Sequence, residues 1–259
     1  MIEARPLCAQ LGLKAVSGHS YPVFQNGKTI LVVSGTGALN ASASAGWALG
    51  RFPEISMALN IGFAGASETV ASMHEWRYIH SIRDEASGHM GIPDILWNHP
   101  FKESALLTVG KVLREDIGWK GLVDMEGSGF YQAARRSLAP DRIALLKWIS
   151  DYLTGEIDVK ITERKYANAI AEIGDFLNHL EEEASTCAVE EAQSPYFEMI
   201  QQRLRLSQTQ LLFIEKWLAG YIARGGDWQL VEDLLPEEPP KHKSGNARIF
   251  EQLKNVLKG

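Results

Sequence analysis

Three carboxylates stand apart from the solvated charges of this chain: Glu3, Glu126 and Asp151. Asp151 closes an apolar run, "LLKWISD". Glu126 follows the strand-like Leu122 and Val123 and precedes Gly127, Ser128 and Gly129, after which Phe130, Tyr131, Ala133 and Ala134 begin a helix. Glu3 stands in "MIEARPL". A carboxylate at the polar end of a strand could serve as a general acid, because partial burial favours its protonated form. The competing reading is a helix N-cap or a loop ion pair. The small residues after Glu126 would leave room for a ligand to approach.

Other chemistry-bearing residues give weaker signals. The turn "SGTGALN" holds Gly35 and Gly37 but lacks the Gly-Lys-Ser/Thr of a P-loop. Its N–H groups could cradle an anion or a water; the alternative is a packing device. His74, His80, His89 and His99 share a loop-like region with Glu75, Asp84, Glu85 and Asp94. They form no H-E-x-x-H pattern and no cysteine joins them, so surface or lid histidines are expected, and no metal site. "WRYIH" and "DILWNHPF" are aromatic-rich and could line a pocket for a flat ring.

Composition narrows the partner. The chain has 259 residues and a formal charge of −6, which gives no global attraction to nucleic acid. The basic end, "KHKSGNARIFEQLKNVLKG", is short and lacks interleaved aromatics. A small molecule or a protein is the better partner. Two distant cysteines, Cys8 and Cys187, point to a reduced compartment. The N-terminus has no signal-peptide core, and no apolar run approaches a membrane span. A cytoplasmic protein without membrane contact is expected.

The elements that must hold these residues read as strands alternating with helices. Residues 30–33 are a short apolar strand running into an Ala/Ser-rich helix. Residues 57–59 are a second strand, with Gly62 and Gly65 in the loop that follows. "ESALLTVGKVL", "KGLVDMEG" and "DRIALLKWISD" supply three more. The pattern predicts an α/β body over residues 1–185, a central mixed sheet with helices on both faces. After about Asp158 the character changes: "ERKYANAIAEIGDFLNHLEEE" reads as one amphipathic helix and "STCAVEEAQSP" as a linker. "YFEMIQQRLRLSQTQLLFIEKWLAGYIARGG" reads as one long helix. "DWQLVEDLL" follows with Asp227 as N-cap, and a terminal helix ends the chain. Residues 186–259 are thus an all-helical appendage.

Four stretches in this order resemble the nucleoside phosphorylase and nucleosidase superfamily: "LVVSGTGALNASAS", "ALNIGFAGA", "LVDMEGSGFYQAA" and "LKWISD". The likeness is greatest to the methylthioadenosine/S-adenosylhomocysteine nucleosidase type and covers about residues 1–183. It implies that Met125 packs under a ribose and Glu126 binds its hydroxyls. Asp151, oriented by Ser150, would protonate the departing purine, and Glu3 would activate the attacking water. Base contacts would lie near Val112 and Leu113, and Phe63 would border the ribose and the nucleophile. The family has a complete strand before its N-terminal acid; only two residues precede Glu3 here, so either the start is misassigned or the first strand is missing.

The resemblance further implies a homodimer, a nucleoside ligand and no cofactor. A phosphorylase would need to bind phosphate and usually presents arginine to it. Neither glycine-bearing stretch contains arginine, which favours hydrolysis. Phosphorolysis is the alternative reading, and a non-catalytic nucleoside-binding or interaction protein on the same fold is another.

Overall fold

The computed structural model of the chain describes residues 2–96, 98–115, 117–153, 159–191, 195–240 and 242–258. It partitions into two compact units, Met1–Ser185 and Thr186–Gly259.

The first unit opens with α1 (Ala4–Gln10), followed by the antiparallel strands β1 (Lys14–Val16), β2 (Val23–Gln25) and β3 (Ile30–Val32). Then come α2 (Ala38–Arg51), β4 (Ala58–Ala66), β5 (Trp76–Asp84), β6 (Met90–Gly91), β7 (Lys102–Thr108), β8 (Leu122–Asp124), α3 (Gly127–Ala134), β9 (Ile143–Asp151), α4 (Val159–Glu172) and α5 (Gly174–Glu191). The main sheet runs β6-β5-β7-β8-β4-β9, and β9 also pairs with β5, so five strands close into a ring. Parallel pairs (β4–β9, β5–β7, β7–β8) and antiparallel pairs (β4–β8, β5–β9) make it mixed.

Alternate side chains go to opposite faces of each strand. Trp76, Tyr78, Ala144, Leu146 and Trp148 meet Tyr166 and Ile170 of α4 and Phe176, Leu177 and Leu180 of α5. Ile79, Ile82, Leu106, Leu122, Leu145 and Ile149 pack with Tyr131 and Ala134 of α3. Helices therefore cover both faces, as expected for an α/β body.

Several sequence expectations are corrected. The strand at residues 30–33 belongs to the small three-stranded sheet, not the main one. The cause is an Asn-Gly hairpin: Asn26 Oδ1 accepts the N–H groups of Lys28 and Thr29, and Gly27 takes φ +97°. Gly62 and Gly65 lie inside β4 rather than in a loop after it. The histidine-rich region contains β5, a nine-residue strand with three neighbours. His80 is exposed where the register of β5 against β7 shifts. His99 is no surface histidine: its ring stacks on Tyr78 at 4.3 Å and its side chain is 6% exposed. Trp76, Tyr78, Ile95 and Phe101 of the aromatic stretches join the core cluster rather than an open pocket, and Trp97 lies outside the described residues.

The predicted single helix over "ERKYANAIAEIGDFLNHLEEE" is two, α4 and α5, separated at Ile173. Gly174 abuts the Gln10 side chain, and a Cβ there would collide with it. The expected linker is helical through Glu191; residues 192–194 lie outside the described residues.

The second unit holds α6 (Pro195–Arg203), α7 (Gln208–Ala223), α8 (Trp228–Glu232) and α9 (Lys243–Lys258). The long predicted helix breaks before Ser207, which forms a capping box with Gln210. Asp227 caps α8 as expected, accepting the Gln229 N–H at 3.0 Å. Ile200, Ile214, Leu218, Val231, Leu253 and Leu257 form this unit's own core.

Candidate functional site

Glu126 occupies the N-cap position of α3 but makes no capping bond. Asp124 and Thr108 do that work. Asp124 Oδ2 accepts the Gly127 N–H at 2.8 Å, and Thr108 Oγ1 accepts the Ser128 N–H at 2.9 Å while donating to Asp124 Oδ1 at 2.7 Å. Ser128 Oγ donates to Asp84 Oδ2 at 2.6 Å, which holds the Asp84 carboxyl below its ordinary range. With the first turn of α3 satisfied, Glu126 turns away. Its Oε1 accepts the Gly37 N–H at 2.8 Å.

That bond redefines the glycine turn. Gly37 takes φ +100° at the start of α2, and the anion its N–H holds is the protein's own carboxylate. Gly35, at φ +81°, is exposed. The small residues after Glu126 are not open space either. A Cβ on Gly129 would run into the Ala38 backbone carbonyl, and one on Gly127 would sit 2.9 Å from Asp124 Oδ2. They admit α2 and the Asp124 carboxylate, so the expected room for a ligand is filled.

Beside Asp124 lies a residue that sequence reasoning missed. Lys147, in the middle of β9, is fully buried, and its Nζ reaches Asp124 Oδ2 at 2.9 Å. Burial by itself would lower the lysine's pKa. The charges of Asp124, Glu126 and Glu3 more than reverse this, and the pKa is raised. Glu126 is pushed up by burial, an effect opposed by the Gly37 N–H and Lys147 and reinforced by Asp124 and Glu3. Asp124 pairs with the ammonium directly, and the charges of Glu126 and Glu3 also act on it.

Glu3, at the N-cap of α1, reaches β4. Its Oε1 accepts the Phe63 N–H at 2.7 Å. Gly62 makes this approach feasible, since a Cβ there would lie 2.7 Å from the same oxygen. Gly62→Ala is therefore expected to displace the Glu3 carboxylate; a crystal structure of the variant checks it, and an unmoved Glu3 would refute the steric account.

Asp151 ends β9 opposite Gly65 of β4. Ser150 Oγ donates to Asp151 Oδ2 at 2.7 Å, and the Leu153 N–H donates to Oδ1 at 2.9 Å. Leu153 takes φ +66°, rare for a residue with a side chain, which aims its N–H back at the acid. Gly65 admits both groups: a Cβ there would meet the Leu153 side chain and sit 2.9 Å from Asp151 Oδ1.

The remaining candidates divide. Met125 is half-buried and packs with Leu113, Trp119, Val109, Val123 and Leu153. Val112 is 69% exposed, outside that apolar group. Phe63 contributes its N–H to Glu3, but its ring packs against Tyr166 at 4.7 Å and Trp148 at 5.6 Å, on the α4 side of the sheet. A cavity of about 480 Å³ opens among Val70, Arg77, His80, Lys102, Glu103 and Lys120; it shares no residue with the acids. Among the described residues no cluster of three or more His, Cys, Asp or Glu side chains could hold a metal.

Comparisons with known proteins bear on the backbone. No protein-family model matches the chain. No curated protein matches it either. Solved structures do. A 5′-methylthioadenosine/S-adenosylhomocysteine nucleosidase from Neisseria meningitidis, in complex with methylthio-immucillin-A, is 15% identical, with a TM-score of 0.55 over 66% of this chain and 94% of that one. The 5′-methylthioadenosine nucleosidase of Arabidopsis thaliana gives 13% identity and a TM-score of 0.55 over 70% and 90%. A further MTA/SAH nucleosidase gives 16% and 0.57 over 71% and 92%. The chain has the nucleosidase fold. At such identity the likeness is one of backbone course. The nucleosidase fold here carries the additional C-terminal helices α6–α9.

Proposed function

We propose that the protein is a purine nucleoside N-ribosyl hydrolase. The observation that carries this reading is the trio Glu3, Glu126 and Asp151, each fixed by backbone N–H groups beside β4 and its neighbours. Breaking an N-glycosidic bond builds positive charge on the sugar and negative charge on the base. An acid at the base and carboxylates at the sugar stabilise both.

In the proposed reaction the C1′–N9 electron pair leaves with the base, and Asp151 gives its proton to the purine at N7. Glu126 grips the ribose hydroxyls, more strongly as the ribosyl cation develops. Glu3 takes a proton from water, whose oxygen bonds to C1′. This resembles the division of labour between the two carboxylates of inverting glycosidases.

Water is preferred over phosphate as the nucleophile. Among the described residues no arginine bonds to Glu3, Glu126 or Asp151, and Arg77 is engaged by Glu75 at 2.6 Å. The test is a panel of purine nucleosides, including 5′-methylthioadenosine and S-adenosylhomocysteine, incubated with the full chain with and without phosphate. Chromatography is expected to detect free base and free sugar in both cases. Base release only with phosphate, accompanied by sugar 1-phosphate, would replace the hydrolase with a phosphorylase. Tight binding without release would make the protein a nucleoside-binding one.

A further inference from the structure

We propose that Lys147 is a positioning residue: by holding Asp124 at the first turn of α3, it leaves the Glu126 carboxylate free for the ligand. The inference deepens the nucleosidase reading and rests on it for its functional meaning.

Lys147 stands where an apolar residue would be expected. The strand "IALLKWISD" is buried from Ile143 to Ser150, and lysine is almost never placed in such a position without a partner. Asp124 is that partner, and its side chain is fully buried too. The pair is not a contact between neighbouring strands. Lys147 is on β9 and Asp124 on β8, with β4 between them. Gly62 is the residue of β4 in register with Lys147. The space that a Cβ on Gly62 would fill is taken by the Glu3 carboxylate.

The consequence lies at α3. Two carboxylates compete for the N-terminal N–H groups of this helix: Asp124, three residues before Gly127, and Glu126, immediately before it. A charged carboxylate at such a terminus gains both hydrogen bonds and the helix dipole. Asp124 holds the terminus while its Oδ2 is shared between Lys147 and the Gly127 N–H and its Oδ1 is held by Thr108. Take away the ammonium and Asp124 becomes an uncompensated buried charge that protonates or reorients. Glu126 is then the nearest anion for the vacated N–H groups and leaves Gly37. Besides Asp124, with which it pairs, Lys147 acts through its charge on Glu126 and Glu3.

The test reads which amide proton follows the Glu126 carboxylate. Full chain is labelled with ¹⁵N-glycine; a glutamate carbonyl label selects Gly127, and a threonine carbonyl label selects Gly37 and Gly155, the latter identified by its loss in Gly155→Ala. In the wild type, the Gly37 amide shift is expected to titrate with Glu126, and Glu126→Gln to abolish that titration. In Lys147→Met the titration is expected to pass to Gly127; Lys147→Arg should return it to Gly37. Lys147→Met can leave a buried charge that unfolds the protein. The double variant Lys147→Met with Asp124→Asn removes both charges, and Glu126, the carboxylate left beside α3, should again move to Gly127. Gly37 still titrating in either folded variant overturns the proposal. This readout needs no turnover, so a wild type that releases no base defeats the nucleosidase reading alone. In an active enzyme, Lys147→Met should raise KM for 5′-methylthioadenosine at least tenfold, with recovery in Lys147→Arg.

Discussion

Asp151→Asn is expected to lower the rate of purine release about 10³-fold while leaving the fold intact, within the range for losing a general acid. The side chain is held at both oxygens, by Ser150 Oγ–H on Oδ2 and by the Leu153 N–H on Oδ1. Asparagine keeps an acceptor for Leu153 and nearly the same shape, so packing over Gly65 should survive. It cannot deliver a proton to a departing base. The loss should therefore fall on kcat and leave KM near its wild-type value. A second substrate isolates the proton: a riboside with a 4-nitrophenolate leaving group departs as an anion without protonation. The variant is expected to cleave it at close to the wild-type rate. If both substrates slow equally, Asp151 acts on binding or architecture and is not the acid.

Two of the candidate acids stood out because each breaks a local pattern, whereas Glu3 was marked only by the family resemblance. Asp151 ends an apolar strand, and Glu126 interrupts a strand-to-helix junction. Their supports were less legible. A hydrogen bond such as Gly37 N–H to Glu126 joins residues 89 positions apart, and no local pattern encodes it. Gly62 and Gly65 read as loop residues because glycine weakens strands; they persist in β4 because Glu3 and Asp151 need the space a Cβ would fill. Lys147 carried a usable signal, a lone ammonium in the middle of a strand apolar on both sides. So did "QNGK", an Asn-Gly hairpin that marks β2 and β3 as a separate small sheet. β5 was hidden by its charges. Arg77 could be buried only because Glu75 pairs with it, and that is a tertiary fact.

Glu126→Gln should make the protein less active and more stable. Burial is the first cause that raises the pKa of Glu126 above the ordinary glutamate value of 4.5. The unfolded chain gives up this proton near 4.5, before the folded chain does. As pH rises from there through the raised folded value, the folded state loses ground, and it stays lower above that window. Glutamine never ionises. The two proteins should therefore melt alike at pH 4, and the variant should melt higher at pH 8.

Activity runs the other way, since gripping the ribose hydroxyls requires the carboxylate. In the wild type, kcat/KM should fall on the acid side with a midpoint above 4.5. The variant should lose that limb and about 10³-fold in kcat/KM, the upper range for removing one preorganised electrostatic contact. Calorimetry at the two pH values and a pH–rate profile check both halves. A variant that melts below the wild type at pH 8 would mean that the Gly37 and Lys147 contacts outweigh the cost of burying the charge. Glu126 would then be a structural anion bridging α2 and α3, not a carboxylate kept for a substrate at the expense of stability.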